Sequence, residues 1–273
     1  MKKIKTYLIT GIIIVSCTLS CKDKSSGLSD PCTDINVFSL NEDKQLGQQV
    51  AAEIGINTVD YPILDEAIYP VAYAHLKRIR DKILNSGKVV NKTAFNWEVK
   101  IIKNDSTLNA FCTPGGYIYV YTGIIKYLDN EDDFAGVLGH EIAHADRRHS
   151  TKALTRDYGI STLIGVIAGK DPGLLVKITK QLADLKNSRC HESEADEMSV
   201  IYLSATNYKC NGAASFFEKI EKSGQPRVPE FLSTHPSPGN RVGSINEKAN
   251  ALNCNKTTPA SDGQYAAFKN SLP

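Results

Sequence analysis

The stretch His140-Glu141-Ile142-Ala143-His144 constrains this chain more than any other. On an α-helix, positions i and i+4 lie on one face about one turn apart, so both imidazoles can reach a single metal ion. Glu141 projects beside them, where its carboxylate can take a proton from a water on that ion. The pattern therefore predicts a helix, one Zn²⁺ held by His140 and His144, and hydrolysis with Glu141 as general base. The bland alternative is a surface helix that carries two histidines and a glutamate. Its neighbours argue against that: Phe134, Val137 and Leu138 lead into the motif, and apolar residues flank both histidines. Asn130 reads as the N-cap, with Asp133 as its reciprocal partner and acidic residues in the first turn.

Two histidines do not complete a catalytic zinc site; a third protein ligand is needed, with the fourth position left for water. The best source is Ser188-Arg189-Cys190-His191-Glu192-Ser193-Glu194-Ala195-Asp196. If this stretch is helical, Glu192 and Asp196 share a face while Glu194 points roughly 160° away. Glu192 is then the expected ligand. Asp196, one turn on, can accept the outer N–H of a ligating histidine and fix its tautomer. His191 and Glu194 stay as competing ligands; without a functional role they read as solvated surface charge. His149 lies off the ligand face and reads as structural, and His75 has no partner in the sequence.

A chain of 273 residues with net charge +2 can bury a large core and argues for no nucleic-acid partner. Its first residues differ in kind. Lys2, Lys3 and Lys5 precede an uncharged apolar run over residues 7–16, which reads as a secretory signal too short to span a bilayer. The small residues before Cys17 and Cys21 resemble a lipobox, so one of these cysteines is expected to carry a lipid that tethers the protein to a membrane, facing the periplasm and in the outer membrane. Residues 1–21 are thus read as signal, 22–39 as a polar tether, 40–250 as the catalytic domain and 251–273 as a C-terminal tail. Cysteines in a secreted chain invite disulfides. Cys210 with Cys254 is the expected pair, because it would staple the tail to the domain.

Helical periodicity covers residues 40–53, with Gly55 as a stop, and residues 62–84, with Ile68 and Val71 among the apolar positions. Alternation over residues 95–101 and 117–121 predicts two strands that pair as an antiparallel edge, and Pro114-Gly115-Gly116 is a turn. Residues 158–169 are apolar and glycine-rich, which fits a buried hairpin or a segment over the cleft. Two helices are expected next, one ending near Leu185 and one starting near Ser188. From Pro226 a proline-rich loop carries His235-Pro236 and Arg241, followed by a short helix.

H-E-x-x-H, then S-R-x-x-E-x-x-A-D, then H-P, in this order, resembles the gluzincin family that contains the CAAX prenyl protease, the heat-shock protease HtpX and the periplasmic protease BepA. The stretch from Asn109 to Tyr117 and on to Thr122-Gly123 is similar to the strand that precedes the zinc helix there, and the similarity runs from about Leu40 to Arg241. It implies an α+β, mostly helical zincin-type metalloprotease domain with a small antiparallel edge sheet beside the zinc helix. It also implies Glu192 as third ligand and His235 at the cleft, where the matching histidine regulates the metal or stabilises the transition state. With the membrane spans of the first two relatives and the helical repeats of the third both missing, the chain reads as a short lipoprotein member. The expected reaction is cleavage of unfolded or misassembled envelope proteins, with His235 or Arg241 helping to stabilise the oxyanion. Substrate is expected to lie extended along residues 117–121. The rival reading is an envelope chaperone or assembly factor with a latent, gated peptidase site.

Overall fold

The computed structural model describes residues 34–223, 230–237, 239–258 and 263–273. The signal, both lipobox cysteines and most of the tether expected above lie outside these residues. Ser39 opens the first helix with a capping box: its hydroxyl accepts from the Glu42 N–H, and Glu42 accepts from the Ser39 N–H. α1 then runs Leu40–Ile56 and carries Gly55 inside it, so that glycine does not stop the helix. α2 spans Pro70–Leu84, shorter than the expected 62–84. Pro70 takes the first turn, where a missing N–H breaks no helical bond, and residues 62–69 before it form a bridge and turns. Ile68 and Val71, expected on the buried face, are 68% and 54% exposed. His75, thought partnerless, stacks on Phe268.

Three strands follow: β1 Val99–Ile102, β2 Ala110–Thr113 and β3 Tyr117–Tyr121. β2 and β3 form an antiparallel hairpin around Pro114-Gly115-Gly116, whose glycines take φ of 77° and 85°. β1 pairs with β3 in parallel, from Val99 with Ile118 to Ile102 with Tyr121. The expected antiparallel pairing of these two segments is therefore corrected, and the small sheet is mixed. The physical reason is β2, which the alternation did not reveal: it returns the chain across the sheet, so β3 runs in the direction of β1. β3 is consequently the central strand, with both sides paired, and β1 and β2 are the edges.

The remaining helices are α3 Thr122–Tyr127, α4 Glu131–Asp146, α5 His149–Tyr158, α6 Ile160–Ile167, α7 Pro172–Ala183, α8 Arg189–Leu203, α9 Gly212–Ser223, α10 Glu230–Thr234, α11 Arg241–Ala251 and α12 Gln264–Asn270. The 158–169 stretch is thus mostly a short helix rather than a hairpin, bounded by Gly159 and Gly169 at positive φ. Arg241 opens a helix instead of lying in a loop. The segment read as a tail contains α12, whose Tyr265 and Phe268 pack on Phe134 of α4. The Cys210–Cys254 disulfide forms as expected, and Cys190 is also disulfide-bonded.

α4 lies at the centre: Asp132 to Asp146 are all buried. Along β3, Ile118 and Val120 join a large core with α2, α4, α8 and α9, while Tyr117 and Tyr119 join a second core with α1, α6 and α7. Small residues let the helices around α4 come close. A Cβ on Gly136 would lie 2.1 Å from the Ala213 backbone nitrogen, and Gly139 faces Ser199 of α8. The Ser199 hydroxyl donates to the Gly136 carbonyl at 2.9 Å, tying α8 to α4.

Two outcomes follow from this packing. Gly136→Ala forces α4 from α9 and is expected to cost about 3 kcal/mol in urea denaturation. Asp133 accepts from the Asn130 side chain in the first turn of α4, and burial lifts its carboxyl from 3.8 to about 6. The folded chain then binds this proton more tightly than the unfolded chain, so its contribution to stability falls as pH rises from about 4 through 6. Asp133→Asn should remove that decline and gain on the order of 2 kcal/mol at neutral pH relative to pH 4. Denaturant midpoints across that range check it.

Candidate metal centre

Asn130 caps α4 by accepting the Asp133 N–H at 2.9 Å, and three turns later the helix presents His140, Glu141 and His144. Ser188 caps α8 in the same way through the His191 N–H, and the first turns of that helix present Glu192 and Asp196. His235 follows α10, and Arg241 is the first residue of α11. All seven residues are at most 4% exposed.

His140 Nε2 and His144 Nε2 lie 2.9 Å apart, and the two oxygens of Glu192 each lie 3.3 Å from one of them. Ligand atoms about 2.0–2.1 Å from a tetrahedral zinc stand about 3.3 Å from one another, so the set has the spacing zinc asks for. A ligand atom of His235 joins the group, all four within 4.8 Å of one another. Both Glu141 oxygens and Glu192 Oε1 are buried without a hydrogen-bond partner. His235 Nε2 is 3.3 Å from Glu141 Oε1, but not in hydrogen-bonding geometry. Carboxylate oxygens buried in this state demand a cation or a donor nearby, which is what a metal ion and its water supply. The residues present fit the group.

Behind each imidazole stands a different support. His140 Nδ1 meets Asp196 Oδ1 at 2.9 Å, and Asp196 accepts from Arg241 at 2.6 and 2.8 Å. The Arg241 guanidinium also donates to Glu192 Oε2 at 2.9 Å and to the His235 carbonyl at 3.2 Å, and lies 4.0 Å over the Phe217 ring. Arg241 is thus engaged by carboxylates and holds the site together. His144 Nδ1 meets His149 Nδ1 at 2.8 Å, and His149 Nε2 meets Glu194 Oε2 at 3.2 Å. With both ligand Nε2 atoms turned to a metal, His144 Nδ1–H donates to His149, and His149 donates in turn to Glu194.

Glu194 is accordingly occupied behind His144, where it also accepts from Arg147. His191 is buried and stacked on His149, with centroids 4.2 Å apart, so the picture of solvated surface charge fails for it. Helical spacing carried on past His144 would put His149 off the ligand face, which hides its role in the sequence. α4 ends at Asp146, and Arg148 at φ 60° turns the chain so that His149 comes back to the site. Only that left-handed turn reveals it, and no residue type announces it.

Charge among these side chains is divided unevenly. Burial disfavours a protonated His140, but Asp196 and Glu192 outweigh it and lift the imidazole to about 9. For His144 burial wins over Glu192, and the group falls to about 4. Burial would raise Glu192, yet His235, His144 and His140 draw it well below the ordinary range. His235 stacks on Phe231 at 4.1 Å. Its Nδ1 is 2.9 Å from the Thr234 hydroxyl and 3.2 Å from the Phe231 carbonyl, and its Nε2 lies on the Glu141 side. Beside this cluster the free space is only about 10 Å³, bounded by Phe111 and Cys112 of β2, Leu182 and Ala183 of α7, and Thr234 and His235.

Residues 70–249 match the family described as Peptidase family M48. The chain belongs to that family. It is similar to the mitochondrial metalloendopeptidase OMA1 of Arabidopsis thaliana, at 32% identity over 158 residues, 58% of this chain and 32% of the relative. The OMA1 of Schizosaccharomyces pombe is 29% identical over 218 residues, 78% of this chain and 62% of the relative. The beta-barrel assembly-enhancing protease of Escherichia coli K12 is 23% identical, covering 92% of this chain and 53% of the relative. This M48 chain thus spans between a third and three-fifths of the length of these relatives. Among its described residues no helix is long and apolar enough to cross a membrane.

The ligand set makes a direct expectation. Glu192→Ala should lose bound zinc in metal analysis, whereas Glu194→Ala should keep it. His149→Phe should keep the metal but bind it on the order of 10-fold more weakly in chelator competition. Zinc lost from Glu194→Ala and kept by Glu192→Ala would overturn the assignment.

Proposed function

We propose that this M48 chain is a zinc-dependent endopeptidase that cleaves unfolded or misassembled proteins of the cell envelope. The observation that carries the reading is the pair of unpartnered Glu141 oxygens, buried beside two imidazole Nε2 atoms and the Glu192 carboxylate. His140, His144 and Glu192 would hold zinc, which would supply a Lewis acid to acidify a water and polarise a peptide carbonyl. Glu141 takes the proton from the attacking water and passes it to the leaving amine. Asp196 and His149 keep the two imidazoles in the tautomer that presents Nε2. Arg241 holds Asp196 and Glu192 in place, which replaces the oxyanion role expected of it.

Substrate pairs with β2 rather than with the 117–121 strand, because β3 already spends both edges on β1 and β2. An edge strand binds extended chains through main-chain hydrogen bonds with little demand on side chains, which suits unfolded substrates. The envelope location is supported by the basic and apolar N-terminal sequence, with a lipid on Cys17 or Cys21, and by the similarity to the beta-barrel assembly-enhancing protease.

The closed space at the cluster favours a second reading, an assembly factor whose peptidase site is held latent. His235 borders the narrow space at Glu141 and adds a ligand atom to the group, so it is the gate in either reading. Glu141→Gln separates the two. Loss of casein cleavage by about 10³-fold with zinc retained supports the peptidase. Full complementation of an envelope-stress defect by that variant supports the assembly factor. Faster cleavage by His235→Ala is expected if the histidine gates the site.

A further inference from the structure

α6 has the sequence ISTLIGVI, with no charged side chain. Leu163 and Val166 fill the second core, while Ile160 and Ile164, one turn apart, are 54% and 55% exposed. Val176 on the adjacent α7 is 54% exposed. Lys170, Lys177 and Lys180 are exposed around them, and between residues 152 and 186 six lysines and arginines stand against three aspartates. That stretch is more positive than the whole chain, whose net charge is +2. Apolar side chains exposed within a basic rim are the composition of a helix that lies in a lipid interface.

We propose that the face made by α6 and the first turns of α7 docks on an anionic lipid surface. Charge selects this occupant: a second copy would set lysine against lysine, whereas anionic headgroups complement the rim. The path of the chain selects it independently. The described residues begin at Asp34, whose carboxylate pairs with Arg156 at 3.0 Å in the last turn of α5, and Asn36 donates to Thr151 one turn back. The N-terminal segment therefore reaches the domain next to the start of α6. Ahead of it lie Cys17 and Cys21, one of which carries the lipid in the envelope reading above. A lipid on either cysteine, joined to Asp34 by a short polar stretch, brings this face within reach of the same surface. Leu182 and Ala183, at the other end of α7, bound the space at Glu141, so docking sets the cleft wall beside the membrane. This inference rests on the envelope reading above and gives it an orientation.

The test uses the full chain bound to vesicles. Trp97, the one native tryptophan, is buried in the large core and 4% exposed. Ile164→Trp reports the proposed face, and Ile68→Trp, at an exposed site ahead of α2, is the control. On phosphatidylcholine vesicles containing phosphatidylglycerol and brominated acyl chains, Ile164→Trp should shift to the blue and be quenched at least about twofold more than the control. Leaving out phosphatidylglycerol, or adding Lys177→Glu with Lys180→Glu, should reduce that quenching. A chain that sediments with vesicles but shows equal quenching at both positions overturns the docking face. So does a blue shift that grows with protein concentration and ignores the bromine, which would mark a second copy. Casein cleavage by the same samples reports on the peptidase reading alone.

Discussion

Three carboxylates, Glu141, Glu192 and Asp196, are buried around two imidazoles, and the rest of the structure is arranged to hold them there. Removing an ionised carboxylate from water is costly unless opposite charge and hydrogen bonds replace the lost hydration. Arg241 answers for two of the three, joining Glu192 and Asp196 through one guanidinium that itself rests on Phe217. Glu141 receives no such partner. The asymmetry agrees with the proposed chemistry, in which the supported carboxylates orient and ligate and the unsupported one accepts a proton.

Bringing these groups together depends on how closely α8 and α9 approach α4. Gly136 and Gly139 remove the side chains that would hold the helices apart, and Ser199 converts the contact into a hydrogen bond. The same central helix explains the two cores. β3 sends alternate residues into each, so the sheet is shared between them and cannot offer its central strand to a substrate. What it offers is β2, which borders the narrow space at Glu141 and His235. Peptide entry needs that space to widen, and the walls that bound it are α7 and the end of α10.

Much of the site could be read directly from residue order. His140, Glu141 and His144 share a register that only a helix uses, and the Glu192–Asp196 spacing placed ligand and support on one face. The Cys210–Cys254 pair was legible from its position near the end of the chain. The sheet was not. Residues 110–113 are buried on both faces and show no alternation, so β2 stayed hidden and the direction of β3 was misread. Ile68 and Val71 were misplaced because periodicity ran through Pro70 without regard for where a proline starts a helix.

Residue order alone therefore determined the family and the histidine–glutamate pattern that the proposal builds on, because each motif depends on spacing within one element. Tertiary structure decided which groups stand behind those residues. His149 and Glu194 support His144 only because a left-handed Arg148 turns the chain, Arg241 reaches Glu192 only because α11 packs beside α8, and β2 is an edge strand only because β1 pairs on the other side of β3. Those contacts join residues far apart in sequence or across a break in a helix, and no local period records them.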